Sequence, residues 1–247
     1  DRLFDSAHIM GMKIPFTKEQ LNEAQRAVVR ENKLETAYIR PLVFYGSEGM
    51  GIRADNLKVH VVIAAWHWGA YMGEEALERG IKIRTSSFTR HHVNITMTRA
   101  KASGAYMNSM LALQEAVSAG ADEALLLDPE GYVAEGSGEN VFIVKNGTIY
   151  TPEVTACLNG ITRATVLALA SQFNIPVVEK RITRDEVYVA DEAFFTGTAA
   201  EVLPIQQLDG RVIGSGKRGP ITEQLQKLYF DHVMGRTDKH PEWISLV

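Results

Sequence analysis

The 247-residue sequence has a single cysteine, no excess of positive charge and no long apolar run. One thiol, Cys157, cannot build a disulfide framework, which excludes a small disulfide-stapled secreted module. The 26 Lys and Arg residues against 30 Asp and Glu give a net charge of −4, which argues against a nucleic-acid surface. The longest apolar stretch, Val61–Trp66, is far shorter than the ~20 residues of a membrane span. We therefore expect a cytoplasmic protein with neither nucleic-acid nor membrane partners.

What the sequence does contain is typical of a globular α+β protein. Hydrophobic residues make up 45% and charged residues 23%, and the length suits one or two domains. Thr17 and Gln20 form a capping-box pattern that predicts a helix over 18–33, and strand-like runs follow at 37–45 and 59–66. Strands and helices do not alternate strictly along the chain, so an α+β fold is favoured over a doubly wound sheet.

The second half of the chain contains clear turn and helix signals. Small and apolar residues predict a helix from Lys101 to Ala119, which Lys101 would open. Asn146-Gly147 and Asp209-Gly210 are typical of tight hairpins. A long helix is expected after Gly160, and a final amphipathic helix over 221–233.

Three familiar kinds of functional motif are not supported by this sequence. Gly214–Gly219 matches G-x-G-x-x-G, but Pro220 and a polar tail follow it instead of a βαβ unit, which indicates a solvated turn. The seven histidines show no H-x-x-x-H spacing, and the adjacent His91 and His92 would point to opposite faces of a strand, so no metal is predicted. The sequence has no G-x-S-x-G nucleophile elbow, so a hydrolase triad has no support.

Three glycine-containing segments carry groups that suit a binding site. Glu135–Asn140 is predicted to be a loop before a strand, where glycines allow close approach and two carboxylates are present. Asn159–Thr162 opens a helix whose N-terminal N–H groups suit a phosphate. The segment Thr196–Ala200 follows a strand and has the N–H groups for an anion-binding nest. Taken singly, each is better explained by an ordinary structural feature: a surface turn, a plain helix start or a simple connection, respectively.

Lys101 is the one candidate nucleophile in these surroundings. Its neighbours Ala102, Ser103 and Gly104 are small and leave room for a bulky group against the lysine. A lysine held neutral in such a place has the amine needed for a Schiff base. Most lysines are solvated, so the position alone leaves both interpretations open.

In order along the chain, four segments resemble the fold type IV pyridoxal-phosphate enzymes. These segments are Arg99–Tyr106, Glu135–Asn140, Gly160–Arg163 and Gly197–Glu201. Within that group the sequence looks most like the bacterial branched-chain amino-acid aminotransferases, on the strength of Tyr38–Leu42, Gly49–Gly51 and Trp68–Tyr71. The resemblance covers essentially the whole chain, and relative to the family the start of the small domain is missing.

The resemblance implies a two-domain arrangement. Residues 1–87 would form a small N-terminal α/β domain, incomplete at its start, and 88–98 an interdomain linker. Residues 99–247 would form a larger, α/β-barrel-like domain that binds the cofactor.

The resemblance also implies pyridoxal 5′-phosphate as the cofactor and assigns residues to it. Lys101 would form the Schiff base and move the proton of the substrate α-carbon, while Glu135 would keep the pyridine nitrogen protonated. Tyr106 would hydrogen-bond the phenolic oxygen, and Leu158 would pack on the ring face. The implied cofactor-binding set is Arg2, Lys101, Tyr106, Glu135, Leu158, Gly160, Ile161, Thr162, Gly197 and Thr198, with Arg2, Ile161, Thr162 and Thr198 on the phosphate.

By the same resemblance, one substrate site accepts both branched apolar and acidic side chains. The implied substrate set is Tyr38, Arg40, Met50, Ile52, Trp68, Tyr71, Thr198 and Ala199. Arg40 would bind the glutamate side-chain carboxylate, and the N–H groups of Thr198 and Ala199 the α-carboxylate. Tyr38 and Arg40 would also fit an ordinary strand face, and Trp68 an ordinary core. Family members are homodimers at least, or hexamers, and the Met50 loop would serve the partner's site.

The implied function is ping-pong transamination between branched-chain L-amino acids and 2-oxoglutarate. A D-amino-acid aminotransferase or an aminodeoxychorismate lyase would use the same lysine and glutamate. A catalytically silent homologue is the alternative from a different class.

Overall fold

The computed structural model describes residues 1–69 and 72–247, and their contacts divide them into two compact units. Unit 1 comprises 1–69, 100–102 and 245–247, and unit 2 comprises 72–99 and 103–244. The domain boundaries expected at 87 and 98 stay a prediction.

The chain forms helices and strands in an irregular order. The helices are α1 (Arg2–Ile9), α2 (Lys18–Glu31), α3 (Ala76–Arg79), α4 (Val93–Thr96), α5 (Tyr106–Ser118), α6 (Ile161–Gln172), α7 (Arg184–Tyr188) and α8 (Pro220–Val233). The strands are β1 (Tyr38–Tyr45), β2 (Val59–Trp66), β3 (Ile81–Thr85), β4 (Glu123–Leu127), β5 (Val133–Gly136), β6 (Asn140–Lys145), β7 (Thr148–Thr151), β8 (Val177–Glu179), β9 (Glu192–Gly197), β10 (Glu201–Leu208) and β11 (Arg211–Val212). Within the described ranges no helix is long and apolar enough to cross a membrane.

Unit 1 is built from α1, α2 and the antiparallel pair β1–β2. The predicted capping box is confirmed, since Thr17 Oγ1 accepts from Gln20 N and Gln20 Oε1 accepts from Thr17 N. Leu21 and Val29, eight residues apart, are buried on one face of α2. The strand pairing places Tyr38 opposite Trp66, and both strands lie where the sequence predicts them.

Unit 2 is organised around a nine-stranded mixed sheet. The strand order is β5-β4-β3-β10-β9-β6-β7-β8, and β11 pairs with β10. The pairs β3–β10, β3–β4 and β7–β8 are parallel, and the remaining pairs are antiparallel. The mixture of parallel and antiparallel pairs confirms the predicted α+β class.

The sheet is buried on both faces because consecutive strand residues point to opposite sides. Phe194 stacks on Phe142 at 4.9 Å in the cluster with α6 and α8 residues. The next residue, Phe195, belongs to a different cluster with Ile83 and Leu203. Strands such as β9 are therefore buried along nearly their whole length, with little of the alternation that marks a half-exposed strand.

Both predicted hairpins are confirmed. Asn146 and Gly147 have φ values of 50° and 76°, and Asp209 and Gly210 have 51° and 79°. Two consecutive positive φ angles are the requirement of a type I′ turn, which Asn-Gly and Asp-Gly meet most easily. The segment Gly214–Gly219 forms turns between β11 and α8, as predicted.

The prediction that Lys101 opens a helix is wrong. A 3₁₀ turn covers Ser103–Ala105, and α5 begins only at Tyr106. Ser103 and Gly104 have poor helix propensity. The Lys101 backbone N–H donates instead to Ser6 Oγ at 3.0 Å. Ser6 lies in α1, 95 residues earlier in the chain.

Candidate active site

Glu135 lies at the end of a strand, whereas the sequence predicted a loop. It is the third residue of β5, pairs with Leu126 of β4, and is only 6% exposed. Its Oε1 lies 2.8 Å from Nε of Arg90, and its Oε2 accepts from Leu158 N at 3.2 Å. A buried carboxylate with a cationic neighbour can stay ionised. Unit 2 thus places a buried carboxyl group beside a cation at the end of a strand.

The segment from Cys157 to Gly160 is held by Glu135 on one side and Asn140 on the other. Leu158 N–H donates to Glu135, and the Leu158 carbonyl accepts from Asn140 Nδ2 at 2.8 Å. Burial raises the pKa of the Cys157 thiol to about 12, with the Glu135 charge as the second cause. Cys157 therefore stays a neutral thiol and adds no charge beside Glu135.

Gly160, Ile161 and Thr162 form the start of α6, as predicted. Gly160 is the N-cap residue, and among the described residues no side chain caps this helix. The N-terminal N–H groups of such a helix attract anions, because the positive end of its dipole reinforces them. Thr162 is buried, with its hydroxyl beside Tyr229. The helix start can thus present N–H groups and a positioned hydroxyl to a phosphate.

Replacing Gly160 by alanine is expected to disturb this helix start. A Cβ at Gly160 would lie 2.1 Å from Asn140 Oδ1, so the Asn140 amide must move and its bond to Leu158 O must break. We expect a loss of about 1–3 kcal/mol in the free energy of unfolding, together with weaker cofactor binding. Thermal unfolding and cofactor titration measure both effects.

Gly138→Ala is the matched control, because a Cβ at Gly138 meets nothing within 4 Å. If Gly160→Ala unfolds and binds cofactor as Gly138→Ala does, the close packing around Asn140 has no role in the site.

The third glycine-containing segment lies beside the Glu135–Asn140 segment. Thr196 of β9 pairs with Asn140 of β6, and a Cβ at Gly197 would lie 3.5 Å from Glu139 Cγ. Thr198 and Ala199 lie in the turn after β9, and Glu201 follows with a φ of 57°. A turn that ends in a left-handed residue is the type of backbone that forms an N–H concavity. Unit 2 therefore brings the predicted residues of three separate segments into one neighbourhood.

In unit 1, Lys101 is joined to the helix that carries Arg2. Its backbone N–H donates to Ser6 Oγ, and Ser6 lies four residues after Arg2 in α1. Residues four apart lie on the same face of a helix. Lys101 and the predicted phosphate-binding Arg2 are therefore attached to the same face of α1. Tyr106 is the first residue of α5 in unit 2 and is half-buried.

A second cluster in unit 1 contains three of the predicted substrate residues. Tyr38 lies 5.3 Å from the Trp68 ring and 5.2 Å from the Trp66 ring. The guanidinium of Arg40 lies 5.2 Å from the Tyr38 ring and 5.3 Å from the Trp66 ring, within cation–π range. This surface combines aromatic area with a positive charge, as a site for both apolar and acidic side chains requires.

The remaining predicted substrate residues are placed differently. Met50 and Ile52 lie in the loop after β1 and are fully exposed, at 103% and 104%. They do not join the aromatic cluster in unit 1. Tyr71 lies outside the described residues.

Comparison with known proteins identifies the family of this chain. The family Amino-transferase class IV matches residues 1–208. The chain belongs to the class IV aminotransferases. A branched-chain-amino-acid aminotransferase from Pseudomonas aeruginosa is 75% identical over 247 residues, which is all of this chain and 80% of that relative.

Two solved structures of the T.th. branched-chain amino acid aminotransferase are also similar to this class IV aminotransferase. The form with pyridoxamine 5′-phosphate has a TM-score of 0.96 at 47% identity, and the complex with N-(5′-phosphopyridoxyl)-L-glutamate has 0.94 at 45%. Each match covers 99% of this chain and 80% of the solved one. The predicted two-domain α+β fold of type IV is confirmed.

Sequence reasoning missed two side chains of this aminotransferase that contact predicted residues. Arg90 forms the ion pair with Glu135, and Trp66 packs against Tyr38 and Arg40. Trp66 could have been found by aligning β1 with β2 as a hairpin, since Tyr38 and Trp66 are then directly opposite. Arg90 has no such signal, because it lies in an irregular segment with polar neighbours.

Proposed function

We propose that this chain catalyses pyridoxal-phosphate-dependent transamination of branched-chain L-amino acids with 2-oxoglutarate. The observation that carries the proposal is the buried Glu135 carboxylate, which is hydrogen-bonded to Leu158, two residues before the N-cap of α6. A fixed acid and an anion-binding helix start are what a cofactor with a pyridine nitrogen and a phosphate needs. The 75% identical relative supports the choice of branched-chain substrates.

The residues present fit the cofactor. A carboxylate that stays ionised in a buried place keeps a facing pyridine nitrogen protonated. The close approach of Asn140 to Gly160 leaves no space for a side chain where α6 begins. When bound, pyridoxal phosphate withdraws electrons from the substrate and so stabilises negative charge at the α-carbon.

The chain's own residues would then bind, orient and move a proton. Lys101 would hold the cofactor covalently until the substrate amino group displaces it. The released amine would then take the α-proton of the substrate and return it two bonds away, at the cofactor's aldehyde carbon. Glu135 would hold the proton on the ring nitrogen. Tyr106 would donate to the phenolic oxygen, and Leu158 would cover one ring face. Arg2, Thr198 and the start of α6, including Thr162, would bind the phosphate.

Both half-reactions would use one substrate site. Tyr38, Trp68 and Tyr71 would contact the branched side chain, and Arg40 would bind the distal carboxylate of 2-oxoglutarate. The N–H groups of Thr198 and Ala199 would hold the α-carboxylate. In the first half-reaction the amino acid leaves as a 2-oxo acid; in the second, 2-oxoglutarate takes up the amino group as L-glutamate.

The proposed assembly is a homodimer at least, or a hexamer, in the cytoplasm. Full exposure of Met50 and Ile52, two large apolar side chains in one loop, supports a role at the partner's site.

An amino-donor panel tests the proposal against its nearest rivals. The purified chain with added pyridoxal phosphate should turn yellow. With 2-oxoglutarate as the acceptor, it should form glutamate when L-leucine, L-isoleucine or L-valine is the amino donor, but not when D-alanine is. A hydrophobic pocket separates such branched substrates by only about 1–3 kcal/mol per methylene, so all three should react.

Each rival predicts a different result in the same assay. Turnover of D-alanine alone would indicate a D-amino-acid aminotransferase, and pyruvate release from aminodeoxychorismate a lyase. Protein that stays colourless would contradict cofactor binding and favour a silent homologue.

A further inference from the structure

Arg90 is a buried arginine with a fixed backbone. It is 7% exposed, and its N–H donates to Leu127 O at 2.8 Å. Leu127 ends β4 and pairs with Val133 of β5, the strand that carries Glu135. Burying a guanidinium is costly unless it is paired, so the position of this side chain needs a reason.

The reason is the charge of Glu135. Nε of Arg90 lies 2.8 Å from Glu135 Oε1, and both side chains are 8% exposed. The Arg90 Nε–H has no hydrogen-bond partner among the described residues, so the attraction between the two groups is mainly electrostatic. Burial favours a protonated carboxyl, and a cation at this distance favours the ionised form.

Three other groups of this neighbourhood supply Glu135 with no positive charge of their own. Leu158 N–H is neutral and binds the second carboxylate oxygen. Burial raises the pKa of the Cys157 thiol to about 12, so the thiol stays uncharged. Arg163, the other buried arginine of this neighbourhood, pairs with Glu179 at 2.6 Å.

We propose that Arg90 is a positioning residue for the cofactor: it keeps Glu135 ionised and oriented, and so keeps the facing ring nitrogen protonated. The inference rests on the proposed function, because it presumes that Glu135 faces this nitrogen. Arg90 itself needs no contact with cofactor or substrate.

Arg90→Gln tests the inference on the full chain. We expect a ~10- to 100-fold weaker cofactor affinity, by analogy with the loss found when the hydrogen-bond partners of metal ligands are removed. The absorbance spectrum of the bound cofactor and kcat should change with it. Arg90→Lys keeps the positive charge and should restore most of the affinity and the parental spectrum, although lysine lacks the planar guanidinium.

Arg218→Gln is the matched control. Arg218 is a half-buried arginine of unit 2, and it pairs with Glu223 and Gln226. Its loss should affect thermal unfolding without changing the cofactor spectrum. If Arg90→Lys behaves like Arg90→Gln, or if both only lower stability as Arg218→Gln does, the electrostatic role is overturned.

A double-mutant cycle with Glu135→Gln separates this inference from the proposed function. If Arg90 acts through the Glu135 charge, Arg90→Gln should change cofactor affinity very little once Glu135 is neutral. If the effects of Arg90→Gln and Glu135→Gln on cofactor affinity are additive, while the parent chain binds cofactor and transaminates, the inference is wrong and the proposed function is unaffected. Loss of cofactor binding in the parent chain would instead contradict the function. Should Arg90→Gln fail to fold, Arg90→Met, which is also uncharged and buries no polar group, completes the same cycle.

Discussion

Replacing Lys101 by alanine is expected to abolish transamination and the yellow absorbance of the bound cofactor. The substitution removes both the amine that would hold the cofactor and the base that would move the α-proton. A positioned base alone contributes about 10²- to 10⁴-fold in rate, so turnover should fall by ~10³-fold or more. Steady-state assays with L-leucine and the absorbance spectrum measure the two losses.

Lys101→Arg makes this experiment more specific. Arginine retains bulk and positive charge but does not deprotonate in proteins, so it can act neither as nucleophile nor as base. We expect it to be as inactive as alanine. Borohydride reduction followed by mass spectrometry should find the cofactor attached to Lys101 in the parent chain and unattached in both variants.

Lys227→Ala is the control for the loss of a lysine. Lys227 is 76% exposed and makes one surface ion pair, with Asp231. Its removal should change stability by less than about 1 kcal/mol and leave turnover intact. Turnover retained by Lys101→Ala would reject the assignment of Lys101 and with it the transaminase chemistry.

Local sequence signals predicted the elements whose geometry local chemistry decides. The capping box at Thr17 and Gln20 fixes the start of α2 because both hydrogen bonds form within four residues. Asn146-Gly147 fixes a hairpin because both residues accept positive φ angles. Such elements need no information from distant parts of the chain.

The misplaced elements depend on distant partners. β5 is a strand only because Glu135 and its neighbours pair with β4, and four residues ending in glycine carry no strand pattern of their own. The spacing of the apolar residues after Lys101 predicts a helix at this position, but the Lys101 N–H donates to Ser6, 95 residues away. Long-range pairing of this kind overrides local propensity.

The residues of the candidate site also fall into those that local sequence motifs predict and those that depend on distant partners. Glu135, Gly160 and Gly197 were found through ordered motifs, and the structure brings the segments of unit 2 that contain them together. Arg90 was missed because its burial and pairing come from tertiary packing rather than from its neighbours in sequence. Residues that act through another residue leave the weakest signal in a single sequence.

Replacing Glu135 by glutamine is expected to cause the second-largest loss. The amide is nearly the same size and can still accept from Leu158 N, but it carries no charge to keep the ring nitrogen protonated. Removing one fixed group that stabilises charge in the transition state lowers kcat by about 10²- to 10³-fold. We therefore expect a loss in kcat of that size, with a smaller change in KM for L-leucine.

Structural damage must be separated from the loss of charge. Glu135→Gln leaves Arg90 buried beside a neutral amide, and breaking a buried ion pair can cost about 3–5 kcal/mol of stability. Thermal unfolding of the cofactor-free variant measures that cost directly. Glu130→Gln, which removes an exposed ion pair with Arg181, is the control for the substitution itself. A Glu135→Gln variant that folds, binds cofactor and turns over at the parental kcat would show that this carboxylate is structural, because no charge then remains at residue 135 to protonate the ring.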